Sequence, residues 1–155
     1  MEKRNEIREY LFNFLKCGVA GWCLEIVFTS VESIMARDLR LMGRTSLWMF
    51  PIYGMGAMLG PISRGIDRWI GDARGLSLRD KFWRHGLNDM VLIFVAEYVT
   101  GTFLKARNMC PWDYSGRLFN IDGLIRLDFA PFWFGTGLLF EHLTFQRSSK
   151  EKGRQ

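Results

Sequence analysis

Four stretches of this 155-residue chain are nearly free of charge, and they alternate with charged connections. Cys17–Val31 carries only Glu25, and Met90–Leu104 carries only Glu97. Thr45–Ser63 runs for nineteen residues without a charge, and Phe129–Phe140 is uncharged before Glu141 and His142. Runs of this kind approach the roughly 20 residues with which a helix crosses a ~30 Å hydrocarbon core. The pattern predicts an all-α polytopic membrane protein with four transmembrane helices, over about 10–34, 46–64, 86–106 and 126–146. A single membrane domain, 10–146, lies between a cytoplasmic tail, 1–9, and a basic tail, 147–155. A soluble bundle would have to bury helices that are apolar all round, which a core of this size rarely achieves. A cleaved leader fits poorly, because Lys16 and Glu25 would interrupt its apolar region and no small-x-small site follows.

Charge sets the orientation. Lys and Arg number 13 in the tails and the middle connection, against 7 on the opposite side, leaving out Lys16. By the positive-inside rule both termini face the cytoplasm. The same bias accounts for the net charge of +5: the middle loop suits anionic headgroups, and no nucleic-acid motif is visible.

The two halves echo each other. Glu25 pairs with Glu97 and Val27 with Val99 at an offset of 72; Gly43, Leu47 and Pro51 pair with Gly123, Leu127 and Pro131 at an offset of 80. Two helices per unit give a 2+2 parallel internal repeat.

Several residues within this frame carry chemistry. Glu25 and Glu97 are intramembrane carboxylates; each has to face the bundle interior and find a partner or a proton. Thr29, Tyr98 and Thr100 are the candidate partners. They form a polar site for a proton or cation, or else bridge helices. Glu32, seven residues after Glu25 on the same face, lies nearer the outer surface, where it meets water or Arg37. Cys110, Pro111, Trp112, Asp113, Tyr114 and Ser115 form an outer loop in which Pro111 stops a helix, Asp113 and Ser115 close turns, and the aromatics suit the headgroup level. Gly56 and Gly60 make a GxxxG beside Gly54 and Ala57 for close helix packing, within the chain or in a homodimer. Pro51 and Pro131 each free a carbonyl or kink a helix. Asp89 and Asp128 read as carboxylates near helix starts. Glu141 and His142 read as an interfacial pair, and His85 stands alone. Cysteine and histidine spacing suggests no disulfide and no metal, and no cofactor is expected. There is no nucleotide-binding GxxxxGK[ST], no GxSxG and no HExxH, so an enzyme is not expected.

The segments "CLEIVFTS", "GRTSLWMFPIYG", "CPWDYS" and "NIDGLIRLDFAPFWFGTGLLFE" resemble the family called Putative ABC-transporter type IV, small bacterial membrane proteins. The resemblance covers roughly 10–146. Its pattern falls on Glu25, Gly43, Ser46, Trp48, Pro51, Tyr53, Gly54, Glu97, Cys110, Trp112, Asp113, Tyr114, Ser115, Gly123 and Trp133. It implies a transport-related role: a permease-like subunit, working as a homodimer, with a separate ATPase subunit docking on 65–84. A membrane protein with a structural or regulatory role and no transport is the alternative.

Overall fold

A computed structural model describes residues 2–35, 37–70 and 77–152. The fold is all-helical apart from one pair of two-residue strands. In chain order it comprises α1 (Glu2–Met35), α2 (Met49–Gly54), a 3-10 turn (Met55–Met58), α3 (Leu59–Ile70), α4 (Leu78–Lys105), β1 (Asn120–Ile121), β2 (Ile125–Arg126), a second 3-10 turn (Leu127–Phe129) and α5 (Ala130–Lys152). The chain divides into two compact units, Met1–Gly56 and Ala57–Gln155.

In the first unit α2 folds back on α1. Gly21 leaves its side of α1 bare, and the Tyr53 ring occupies the place a Cβ would take. Phe50 packs edge-on to Trp22, centroids 4.8 Å apart, and to Phe14 at 6.0 Å. Such edge-to-face pairs each add about 0.5–1.5 kcal/mol beyond the area they bury. The Trp22 indole N–H donates to the Ser46 carbonyl at 3.0 Å, which ties the connection before α2 to α1.

In the second unit α4 and α5 pack along each other, and α3 lies against both. Ser77 caps α4: its hydroxyl accepts from the Asp80 amide at 3.2 Å and donates to the Asp80 carboxylate at 2.8 Å. Phe82, Trp83 and Phe134 form an aromatic cluster with centroids 5.4–5.7 Å apart. The far ends of α4 and α5 are joined through the antiparallel pair β1–β2, with Ile121 opposite Ile125.

Hydropathy predicts one helix over 46–64, but the chain there forms α2, a 3-10 turn and α3. The cause is Pro61. It has no N–H for the Ala57 carbonyl four residues back, and its ring crowds that carbonyl, so the turn before it tightens. Pro51 and Pro131 do not act this way. They fall in the first turns of α2 and α5, where the missing N–H has no helical partner to lose. Neither frees a carbonyl inside a helix.

The remaining helices run past their predicted ends. α1 starts at Glu2, α4 at Leu78, and α5 continues to Lys152. Asp89 therefore lies well inside α4, and a helix-start role does not apply to it.

Beside a small apolar core that includes Leu59, Leu104, Trp133 and Phe140, the described residues expose many large apolar side chains and bury several polar ones. On α4, Leu87, Val91, Val95, Val99 and Phe103 recur every fourth residue on one face and are each about half exposed. The opposite side of the same helix buries Gly86, Asp89, Glu97 and Gly101. On α1, Leu11, Leu15, Val19, Val27 and Val31 are similarly exposed, while Asn13 is buried. Arg4–Met35 and Leu78–Lys105 are long and apolar enough to cross a membrane by length and composition, and only 22% of each apolar window is buried.

Candidate functional site

Among the described residues of the second unit, one polar group is built from three helices, each contributing a pair of residues four positions apart. Four residues is one helical turn, so both members of a pair share a face. α3 provides Ser63 and Asp67, α4 provides His85 and Asp89, and α5 provides Gly137 and Glu141.

In the first layer His85 bridges its neighbours. Its Nε2 lies 2.8 Å from Asp67 Oδ2, and its Nδ1 lies 2.8 and 3.0 Å from the two Glu141 oxygens. Arg84 donates to the other Asp67 oxygen at 2.5 Å. All four side chains are at most one-quarter exposed. Burial pushes the Asp67 carboxyl upward, but the hydrogen bonds and charges of His85 and then Arg84 outweigh it and hold the group below the usual carboxylate range.

In the second layer Asp89 is fully enclosed. Its Oδ1 accepts from the buried Ser63 hydroxyl at 2.8 Å. Gly137 allows the approach of α5, since a Cβ there would collide with the Asp89 side chain. Thr136 and Thr144 are buried on α5, and Thr144 returns its hydroxyl to the Phe140 and Glu141 carbonyls.

Sequence reasoning did not assemble this group. It took His85 as isolated and paired Glu141 with His142, whereas the Glu141 carboxylate rests on His85. A signal was present: Ser63/Asp67 and His85/Asp89 both show helical four-residue spacing. It could not be read without knowing that α4 begins eight residues before the hydrophobic run suggests.

The residues singled out from sequence fall elsewhere. In the first unit Glu25 is half-buried, and its Oε2 accepts from Thr45 Oγ1 at 2.5 Å. Thr29, the expected partner, binds backbone instead: it donates to the Glu25 carbonyl at 2.8 Å and accepts from the Arg44 amide at 2.8 Å. A hydroxyl four residues along a helix reaches the carbonyl more readily than the outward-pointing carboxylate. Gly43 packs on Ile26.

In the second unit Glu97 is buried. Thr100 donates to the Ala96 carbonyl at 2.6 Å and to the Glu97 backbone carbonyl at 3.4 Å, and the Tyr98 hydroxyl donates to the Asp122 carboxylate at 2.8 Å. The motif Cys110–Ser115 folds over the end of α4. The Trp112 indole N–H donates to Leu124 O at 2.9 Å, Asp113 Oδ1 accepts from the Ser115 amide at 2.9 Å and hydroxyl at 2.6 Å, and Tyr114 N–H donates to Gly123 O at 2.8 Å. The Cys110 thiol donates to the Trp112 carbonyl at 3.2 Å. Arg126 pairs with Asp128 at 2.6 Å and stacks over Phe129, 4.1 Å from its centroid. Gly54 carries the Phe14 ring, and the atoms nearest a Cβ at Gly60 belong to Arg64 of its own helix.

The model of a protein family described as Putative ABC-transporter type IV matches residues 12–151. No solved structure matches the chain.

Proposed function

The chain belongs to the Putative ABC-transporter type IV family, and on that premise we propose that it is a multi-pass membrane subunit of a transport system. It crosses the bilayer four times as a 2+2 parallel repeat, with both termini in the cytoplasm. The observation that carries this reading is the extent of exposed apolar surface on the two long apolar helices. α1 exposes Leu11, Leu15, Val19, Val27 and Val31 and α4 exposes Leu87, Val91, Val95, Val99 and Phe103, while Asn13, Ser63, Asp89, Glu97 and Thr136 are buried. Exposed apolar area on this scale is unfavourable in water at ~25 cal/mol per Å² and costs nothing against lipid. Polar groups inside such a bundle mark a solute or ion path, because each is expensive there unless function retains it.

Glu25 in the first unit and Glu97 in the second are the repeat-related carboxylates, each the candidate polar group of its own unit. With no nucleotide-binding loop in the sequence, a separate ATPase subunit supplies the energy. It docks on the basic stretch 65–84, which takes in the end of α3 and the start of α4 and of which 71–76 lie outside the described residues. Four helices are few for a permease, so a homodimer encloses the path. No catalytic step is assigned to the chain.

The test is affinity purification of the tagged protein from membranes in mild detergent, followed by mass spectrometry. A stoichiometric ATPase subunit, lost when Arg68, Arg79 and Lys81 are neutralised, supports a permease subunit. A protein that purifies alone, or as a homodimer, sinks the ATPase-coupled reading.

A structural or regulatory role is the second reading. The Glu25–Thr45 hydrogen bond favours it, since it fastens α1 to the connection that follows. Glu25→Gln and Glu97→Gln separate the two readings. Lost transport with intact thermal stability supports the path, and lost stability supports a purely structural tie.

A further inference from the structure

Both ring nitrogens of His85 end on carboxylates, Asp67 at 2.8 Å and Glu141 at 2.8 Å. An ionised carboxylate only accepts, and a neutral imidazole carries a single N–H. The two contacts are simultaneous hydrogen bonds only when Asp67, His85 and Glu141 together hold one proton more than a neutral ring between two ionised acids.

One turn along the same faces sits Asp89, 0% exposed. Its Oδ1 has the Ser63 hydroxyl, and its Oδ2 has no hydrogen-bond partner among the described residues. That oxygen is turned toward Gly137, 3.2 Å from where a Cβ would sit. Enclosing a charged carboxylate oxygen without a donor costs several kcal/mol, roughly as for any isolated buried ion, unless a proton or cation neutralises it.

Among the described residues, Asp67 from α3 and Glu141 from α5 contact His85, and Arg84 from α4 contacts Asp67. With Asp67 and Glu141 negative and Arg84 positive, the five groups reach neutrality only when His85 and Asp89 each carry a proton.

The geometry points to a proton-binding site of two linked stations, His85 and Asp89, at the meeting of α3, α4 and α5. With the proton on His85, α4 is hydrogen-bonded to α3 and α5 at once. When it leaves, the imidazole keeps one N–H, one tie is lost, and the three helices are free to shift. The site is distinct from Glu25 and Glu97, and its use as a proton-sensitive element in transport rests on the transport reading, whereas proton binding itself does not.

The experiment uses the full chain, purified and labelled with ¹⁵N-histidine. The sequence has only His85 and His142, so His142→Gln assigns the spectrum. The expected result is a His85 ring with both nitrogens protonated at neutral pH that loses one proton as the pH is raised. If neither histidine is doubly protonated at neutral pH, the proposal is overturned, and that outcome needs no variant. Infrared difference spectra across a pH step read the second station. A titrating carboxyl band that Asp89→Asn deletes and Ser63→Ala shifts supports it, and spectra unchanged by both variants overturn it. A response to sodium at fixed pH in place of a response to pH assigns the site to a metal cation and likewise overturns it. Retention in the membrane pellet after alkaline washing is scored separately, so failure of the membrane reading leaves the proton result legible.

Discussion

At the scale of single residues the second unit depends on two positions that look unremarkable in sequence, Asp67 and Gly137. The Asp67 carboxyl is held below its ordinary range. Between its folded and unfolded values the unfolded chain therefore binds more protons. Its stabilisation is complete above the ordinary carboxylate range and disappears as the pH falls through the lower folded value. Thermal unfolding in detergent, followed from neutral pH to pH ~3, should show an acid limb that Asp67→Asn flattens. An unchanged limb would mean that the Arg84 and His85 contacts do not form. Gly137→Ala drives a methyl into the Asp89 side chain and should cost about 1–3 kcal/mol by overpacking. Gly135, with nothing within 4 Å of an added Cβ, is the internal control: Gly135→Ala should be neutral or stabilising by up to ~1 kcal/mol. Equal melting temperatures for the two variants would refute the close approach of α5 to Asp89.

At the scale of elements the connection between α4 and α5 is a built cap. Gly123 takes φ +70°, and a Cβ there would press on Ser115 and Asp113. Gly123→Ala combines left-handed strain with that collision and should destabilise by about 1–3 kcal/mol. Gly116→Ala, in open space, should not. Differential scanning in detergent decides between them. Ser77 caps α4, and Ser77→Ala should cost about 1 kcal/mol, visible as faster amide exchange in the first turn. How legible the elements were from sequence varied with the source of the signal. The apolar runs placed the bodies of α1, α4 and α5, because hydropathy is a property of neighbours in the chain. The starts of α1 and α4 escaped, since Glu2–Glu9 and Leu78–His85 are polar and helical together, and hydropathy reports the membrane rather than the helix. The break at Met55–Met58 was legible in principle from Pro61, which is a local effect.

At the scale of the whole molecule the defining property is that apolar side chains face outward. The chain should stay in the membrane pellet after alkaline washing; release into the supernatant would return it to the soluble class. Reporter fusions at either terminus should report a cytoplasmic location, given 13 Lys and Arg on that side against 7. An externally active fusion at one end would require an odd number of crossings and exclude the four-span repeat.

Composition and spacing along the chain pointed to a membrane class and determined the helical fold and the family, because hydropathy and short motifs are written in consecutive residues. They also pointed to Glu25 and Glu97, since a lone charge in an apolar run is conspicuous. The partners of those residues, and the Asp67–His85–Glu141–Asp89 group, were decided only by tertiary structure. Asp67 and Glu141 are 18 and 56 residues from His85 in sequence, and nothing local distinguishes a carboxylate that will meet an imidazole from one that will meet water. Packing of α3, α4 and α5 makes that choice, by bringing three one-turn pairs onto a common face.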